Sequence, residues 1–309
     1  MNLQSFEKKY KPEWDKFILK SRNGLFMHLR DFMDYHSSRF DDASLIFRKK
    51  NKIIAVLPAH RKTKIFYSHL GLTFGGLIIG NDTKFDDINE VFSLMVRYLK
   101  DENYQSLYYK KIPHIFSRKS SDEDLHSLYM LGAKLIRRDL SACISFRGEF
   151  NVTKNRMQTI RKANAAGIVV KNMNLQKEFY DILIDTLKRH GSKPTHSFDE
   201  LKLLADRFPS NITLKAACRQ GNIVAGALLF CFDNVVHTQY LAASPEGKEV
   251  YALDAIIYET IKSSHRAYDY LSFGASSTDN GHEVNRGLMF YKESFGAKAI
   301  VLDHYQLKI

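Results

Sequence analysis

The stretch "GLMFYKESFGAKAIV", residues 287–301, carries the reading that decides the fold. Its spacing predicts a helix over Gly287–Ser294 with an apolar stripe marked by Leu288, Tyr291 and Phe295. Lys292 falls on that stripe, four residues after Leu288 and three before Phe295. A cation where an apolar side chain belongs needs a chemical reason. The longer run "MFYKESFGAKAIVLDHYQL" (289–307) goes on into a strand, and residues 128–146, "LYMLGAKLIRRDLSACISF", repeat its order with "LGAK" in the place of "FGAK".

The repetition extends upstream. In the N-terminal half, helices are expected over "PEWDKFILKS" (12–21) and "HLRDFMDYH" (28–36), then a hairpin of "ASLIFRK" (43–49) and "KIIAVLPAH" (52–60). In the C-terminal half, "LQKEFYDILIDTLKRH" (175–190) and "FDELKLLADRF" (198–208) read as helices. They lead into "ITLKAACR" (212–219) and "IVAGALLFCF" (223–232), joined at the turn sequence "QGN". The helix-to-strand junctions correspond, "SRFDDASLIF" (38–47) against "DRFPSNITLK" (206–215). Each half then continues alike, through "FDDINEVFSLMVRYLK" (85–100) into "YQSLYYKK" and through "ALDAIIYETIKSSH" (252–265) into "AYDYLSFG". Between the halves, "RGEFNVTKNRMQTIRKANAAGIVV" (147–170) reads as a loop, a basic helix capped by Thr153, a stop at Gly167 and a strand.

These patterns predict an α/β (mixed α+β) protein of two tandem lobes, 1–148 and 149–309, each a mixed sheet flanked by helices. The last strand is expected to pack back on the first lobe, and a cleft between the lobes is the default ligand site. The 309 residues suit two domains, and 44% apolar with 26% charged residues excludes disorder and low complexity. Three widely spaced cysteines, Cys143, Cys218 and Cys231, suggest neither a disulfide frame nor a zinc site, and no metal is expected. The N-terminus lacks the apolar core of a secretory signal and no stretch approaches the ~18 apolar residues of a membrane span, so a cytoplasmic protein is expected. Lys and Arg exceed Asp and Glu by 46 − 34 = 12, which favours an anionic partner: nucleotide, phosphopantetheine, tRNA or an acidic lipid face.

The element order and the words "SHLGLTFGG" (68–76), "NRMQTIRKANAAGI" (155–168), "NIVAGALLF" (222–230) and "NRGLMFYKESFGA" (285–297) resemble the GNAT acyltransferase superfamily. The resemblance is to its doubled branch, the Fem-type aminoacyl transferases and the GNAT-like proteins of polysaccharide loci. In GNAT enzymes an asparagine precedes a tyrosine by seven places, that tyrosine precedes a glycine by four, and it often protonates the departing thiolate of coenzyme A. Asn285 and Gly296 keep that spacing here, and Lys292 stands at the tyrosine position, as in the Fem-type pattern F-K-x-x-F-G. The resemblance thus implies acyl or aminoacyl transfer in the C-terminal lobe and acceptor binding in the N-terminal one. A preplaced ammonium would stabilise the oxyanion formed when an amine attacks an ester or thioester.

The donor is left open between acyl-CoA and aminoacyl-tRNA, with no permanently bound cofactor. GNAT enzymes cradle the pyrophosphate of coenzyme A with Q/R-x-x-G-x-G/A. The matching "PEGKEVYALDAII" (245–257) keeps only Gly247 and Lys248 as candidate donor-binding residues, beside Asn285. His237, in "NVVHTQYLAAS", is a candidate proton acceptor; strict alternation puts it on one strand face with Gln239 and puts Tyr240, a further catalytic candidate, on the other. Arg156 and Arg161 on the basic helix suit a diphosphate or tRNA backbone, and Arg286 suits an acidic acceptor. "HLGLTFGG" resembles the cleft strand of the Fem-type first lobe, which makes His69, Thr73, Gly75 and Gly76 acceptor-binding candidates. Ser68 and His69, as strand neighbours, would face opposite ways and form no nucleophile–base pair.

The expected activity is N-acyl transfer to an amine of a cell-envelope precursor, such as a nucleotide- or lipid-linked amino sugar or a peptidoglycan peptide, with peripheral contact to the inner membrane face. The alternative is a non-catalytic GNAT-like module that binds an anionic sugar nucleotide or tRNA.

Overall fold

The structure is a computed structural model that describes residues 1–189 and 191–309. The chain begins β1 (Asn2–Ser5), α1 (Lys11–Lys20), α2 (Arg30–Met33), β2 (Asp41–Asp42), β3 (Leu45–Lys49), β4 (Lys52–Leu57), β5 (His60–Lys62), β6 (Ile65–Tyr67) and β7 (Ile78–Ile79). It continues α3 (Phe85–Asp101), β8 (Ser106–Lys110), α4 (Glu123–Met130), β9 (Lys134–Ser145), α5 (Lys154–Ala165), β10 (Val169–Met173), α6 (Lys177–Lys188) and α7 (Phe198–Arg207). Then come β11 (Ile212–Arg219), β12 (Asn222–Cys231), β13 (Val235–Ala243), α8 (Pro245–Glu249), α9 (Ala252–Ser264) and β14 (Tyr270–Ala275). A short ribbon, β15 (Ser277–Thr278) and β16 (Glu283–Val284), precedes α10 (Arg286–Glu293) and β17 (Lys298–Lys308).

These elements form two compact units, Met1–Asp139 with Asp279–His282 and Val301–Ile309, and Leu140–Thr278 with Glu283–Ile300. The division falls inside β9, between Asp139 and Leu140, and again inside β17.

In the first unit one sheet runs β1-β3-β4-β7, and a second set of strands runs β17-β8-β6-β5-β2. β8 is antiparallel to β17 and parallel to β6. Helix α3 buries Ile88, Val91, Phe92, Met95 and Leu99, one stripe at helical spacing, into a core with Leu45, Phe47 and Leu107. In the second unit the order is β10-β11-β12-β13-β14-β9, antiparallel except where β13 meets β14. The small and branched residues of α9, among them Ala252, Ala255 and Ile256, are buried in a core with Ala227, Leu229 and Phe295.

Three expectations need correcting. "HLRDFMDYH" gives only the four-residue α2 between 3-10 turns at Phe26–His28 and Asp34–His36, because Asp15 accepts a bond from the Arg30 amide at 2.9 Å and fixes the start there. Residues 68–77 form a loop and not a strand, since His69 is held at φ 59° and Gly76 at φ 91°. Helix α10 buries Met289 and Lys292, with Phe295 just beyond it, whereas Leu288 is 38% exposed. The helix expected over 175–190 is α6; His190 lies outside the described residues.

Candidate active site

Strands β13 and β14 run parallel for three residues only, Val235–His237 against Tyr270–Ser272, and then part. Beyond Ser272 the next partner of β14 is Ser141 of β9, which pairs with Ala275 after an irregularity in register. Parallel neighbours that separate leave backbone groups without ladder partners, and those groups must be satisfied some other way.

Lys292 does this. Its side chain is buried, 2% exposed, and Nζ donates to Gly274 O at 2.8 Å, Ala275 O at 2.9 Å and Ser276 Oγ at 2.7 Å. A lysine that laid its stem on apolar neighbours and sent its ammonium to water would look quite different. Burial pushes the Lys292 amine down to about 8. It is therefore mostly cationic at pH 7, with all three N–H groups engaged. The segment it grips is held from two further sides, by Ser276 N to Leu140 O at 2.6 Å and by Asn285 N to Ser276 O at 2.8 Å.

His237 stands at the point of separation, 4% exposed, with Nδ1 3.1 Å from Ser272 Oγ. Burial, followed by the Lys292 charge, pushes its imidazole down to about 4, so it is neutral at pH 7. Tyr240 lies on the same face as His237, contrary to strict alternation. Leu229 pairs with Thr238 and Leu228 with Tyr240, so Gln239 is an extra, bulged residue that reverses the facing beyond it. The Tyr240 hydroxyl is 2.8 Å from His196 Nδ1, and burial raises its pKa. Neither His196, Ser272 nor Ser276 was singled out from sequence; each comes from a different element, and no local pattern marks them.

The remaining candidates are dispersed. Asn285 caps α10, its Oδ1 accepting from Leu288 N at 2.9 Å, and Arg286 follows it on the exposed side. The Gly247 amide donates to Ser244 Oγ at 3.0 Å, and a Cβ there would meet Val224 O at 2.1 Å, so the glycine permits a close backbone approach; Lys248 is exposed. Arg156 binds within the second unit, to Asp254 Oδ2 at 2.6 Å and Ser294 Oγ at 3.0 Å, with its guanidinium 4.5 Å over the Tyr291 ring. Tyr291 Oη also reaches Asp254, at 2.9 Å. Arg161 is exposed on α5. His69, Thr73, Gly75 and Gly76 share the loop 68–77 of the first unit, where His69 is buried against the rings of His36, Phe40 and His60 and Thr73 is exposed. Among the described residues, no group of His, Cys, Asp and Glu is arranged to hold a metal ion, and no helix is long and apolar enough to cross a membrane.

No protein-family model matches the sequence, and comparison with curated proteins returns no match. Solved structures do match. FemX is 12% identical over 100% of this chain and 98% of its own, with a TM-score of 0.69. The C-terminal domain of a putative lysylphosphatidylglycerol synthetase from Agrobacterium fabrum is 12% identical over 98% and 92%, with a TM-score of 0.62. A tandem GNAT protein from the clavulanic acid biosynthesis pathway is 8% identical over 99% and 98%, with a TM-score of 0.53. With the parted parallel strands, these likenesses show a GNAT-like fold. More particularly, it is the doubled, Fem-like form of that fold, which spans the whole chain.

Proposed function

We propose that this protein is an N-acyltransferase that moves an acyl or aminoacyl group onto an amine of a cell-envelope precursor. The observation that carries the reading is the Lys292 ammonium, buried where β13 and β14 part. The resemblance of the fold to FemX and to a lysylphosphatidylglycerol synthetase domain supports the reaction class. In the reaction the amine nitrogen bonds to the activated carbonyl carbon, the carbonyl oxygen becomes an oxyanion, and the bond to the donor's sulfur or ribose oxygen then breaks. The proton lost by the amine leaves with the departing group or to solvent. His237, at about 4, is a weak base at pH 7 and serves to hold Ser272 and the neutral side of the site.

Lys292 receives the oxyanion by exchanging one partner. Gly274 O and Ala275 O are fixed by the backbone, whereas the Ser276 hydroxyl can rotate away and free one N–H. Such a donor in a water-poor site is worth about 3 kcal/mol of transition-state stabilisation. The acceptor is an amino sugar nucleotide, a lipid-linked amino sugar or a peptidoglycan peptide. The Gly247 amide is already taken by Ser244, which favours an aminoacyl-tRNA or carrier-bound donor over coenzyme A.

The test is a matrix of radiolabelled donors (acetyl-CoA, aminoacyl-tRNA) against UDP-amino sugars and muropeptides, run with the wild type and with Lys292→Met. Product that depends on Lys292 supports the reading; full turnover by the variant removes it. The complete saturation of the Lys292 N–H groups within the protein favours a second reading, a binding module for an anionic sugar nucleotide or tRNA. Thermal stabilisation by a UDP-amino sugar or by tRNA, with no product from any donor, would select it.

A further inference from the structure

The first unit contains a cavity of about 820 Å³ that takes no part in the site built on α10 and β13. Its volume is within the range of small-molecule sites, about 300–1,000 Å³. Its floor is apolar and half-buried, made by Phe17 of α1 with Ile53 and Ile54 of β4. Its rim is cationic, with Lys20 at the end of α1 and Lys49, Lys50 and Lys52 along the β3–β4 hairpin.

Backbone and side-chain bonds hold one wall of the cavity in place. The wall formed by Gly80–Thr83 is pinned to the floor: Gly80 N and Thr83 Oγ1 both donate to Ile54 O, at 2.9 and 2.7 Å, and Thr83 N donates to Gly80 O at 3.2 Å. The hairpin tip, for its part, places Lys50 at φ 50° and Asn51 at φ 63°. A two-residue turn with both φ values positive favours Asn and Gly over a long side chain at its first position. The turn therefore keeps an ammonium at the rim against the local backbone preference.

The electrostatics point the same way. Of the two carboxylates lining the cavity, Asp87 is ion-paired with Lys49 at 2.5 Å, which leaves one further lining carboxylate, Asp82, to set against three lining lysines, Lys20, Lys50 and Lys52. Those three lysines are exposed and have no ion-pair partner among the described residues. Lys119 adds a further cation beside the wall, bonded to Asn81 Oδ1 at 2.8 Å. Excess cations above an apolar floor select a ligand with two parts.

We propose that this cavity binds a phosphorylated ligand with an apolar or aromatic body: the phosphate is taken by Lys20, Lys50 and Lys52, and the body lies on Phe17, Ile53 and Ile54. The ligand is either a soluble phosphate ester or a phospholipid headgroup region, since both present this chemistry. The site is independent of acyl transfer, because no residue of α10, β13 or β14 lines it.

The experiment is calorimetric titration of the full chain with inorganic phosphate, phenyl phosphate, phenol and short-chain phosphatidylglycerol below its micellar concentration. Phenyl phosphate is expected to bind saturably and about tenfold more tightly than inorganic phosphate, with phenol showing no binding. Lys20→Glu with Lys52→Glu is expected to weaken it by about tenfold or more, and Lys20→Gln with Lys52→Gln by less, with unchanged thermal melts since both lysines are exposed. Tighter binding of the lipid than of phenyl phosphate assigns the site to phospholipid, and the reverse assigns it to a soluble ester. Absence of saturable binding by every phosphate, or binding indifferent to both double variants, overturns the proposal. Equal affinity for inorganic and phenyl phosphate overturns the role of the floor.

Discussion

In the first unit β6 lies parallel to β8 for three residues, Ile65–Tyr67 against Ser106–Tyr108; in the second β13 lies parallel to β14 for three, Val235–His237 against Tyr270–Ser272. Each pair parts at its third residue, and near each parting a lysine is turned inward, pushed down to about 8 by burial and bonded to backbone carbonyl oxygen. Lys110 donates to Leu72 O at 2.6 Å, and Lys292 to Gly274 O and Ala275 O. Each unit also has a glycine pressed on a backbone carbonyl, Gly75 on Ser68 O and Gly247 on Val224 O. The difference lies in what faces the parting. In the second unit it is His237, Ser272 and a lysine carried by a helix. In the first it is the rings of Tyr67 and Tyr108, with Tyr108 Oη 2.6 Å from His304 Nδ1, and a lysine carried by the strand itself. The duplicated framework is thus kept while the chemistry diverges, and only the second copy sets a cation on a separate, replaceable element.

The largest effect should come from removing the two lysines in parallel. Lys292→Met is expected to lower kcat by about 10²–10³-fold in the transfer assay, whereas Lys110→Met, which removes the bond to Leu72 O, should loosen loop 68–77 and leave kcat within about threefold. Equal losses of kcat in both variants would erase the distinction between the copies.

The two glycines test the shared framework. A methyl group at Gly247 would sit 2.1 Å from Val224 O and one at Gly75 2.2 Å from Ser68 O, both against backbone, so Gly247→Ala and Gly75→Ala should each cost about 2–3 kcal/mol in urea unfolding. A neutral result at one site only would show that copy to be loosely built.

Titration separates the copies more finely. His28, His60 and His304 in the first unit and His237 in the second are pushed down to about 4, and His69 well below its usual value, in each case chiefly by burial. With lowered folded values, the unfolded chain binds more protons between about 4 and 6.5, so stability falls as the pH drops through that window. Amide protection, corrected for the intrinsic exchange rate at each pH, should therefore fall at pH 5 in the first unit before the second. For the two lysines the folded value of about 8 lies below the ordinary 10.5, so raising the pH between them favours folding, and both Met variants should flatten the rise in urea midpoint from pH 7.5 to 9.5.

The smallest effect concerns helix starts. Asn285 caps α10 with its side chain, whereas Asp122, before the corresponding α4, makes no side-chain cap. Asn285→Ala should cost about 1 kcal/mol by thermal melt and Asp122→Ala measurably less.

Much of the framework was legible because its signals are local. The stripes of α3, α6 and α7 and the turn "QGN" between β11 and β12 need no distant partner to be read. Lys292 was found because it interrupts such a stripe, although the phase was misjudged: four apolar residues in succession, Leu288 to Tyr291, leave the buried face of a short helix undetermined. The face of Tyr240 was misread because one bulged residue, Gln239, reverses alternation without a glycine or proline to announce it. The loop 68–77 passed for a strand because its apolar residues alternate, while the left-handed His69 that breaks it looks like any other histidine. Ser272, Ser276 and Asp254 gain their roles only from residues far away in the chain, as in the bond from Arg156 to Asp254.

The return of Val301–Ile309 to the first unit, where β17 pairs with β8, has a consequence for biosynthesis. On the ribosome, the N-terminal unit has to wait with β8 unaccompanied on one side until all of Leu140–Ile300 has been translated. Its exposed strand edge is then a target for chaperones, or for the same strand of a neighbouring nascent chain, and the order of maturation runs opposite to the order of synthesis.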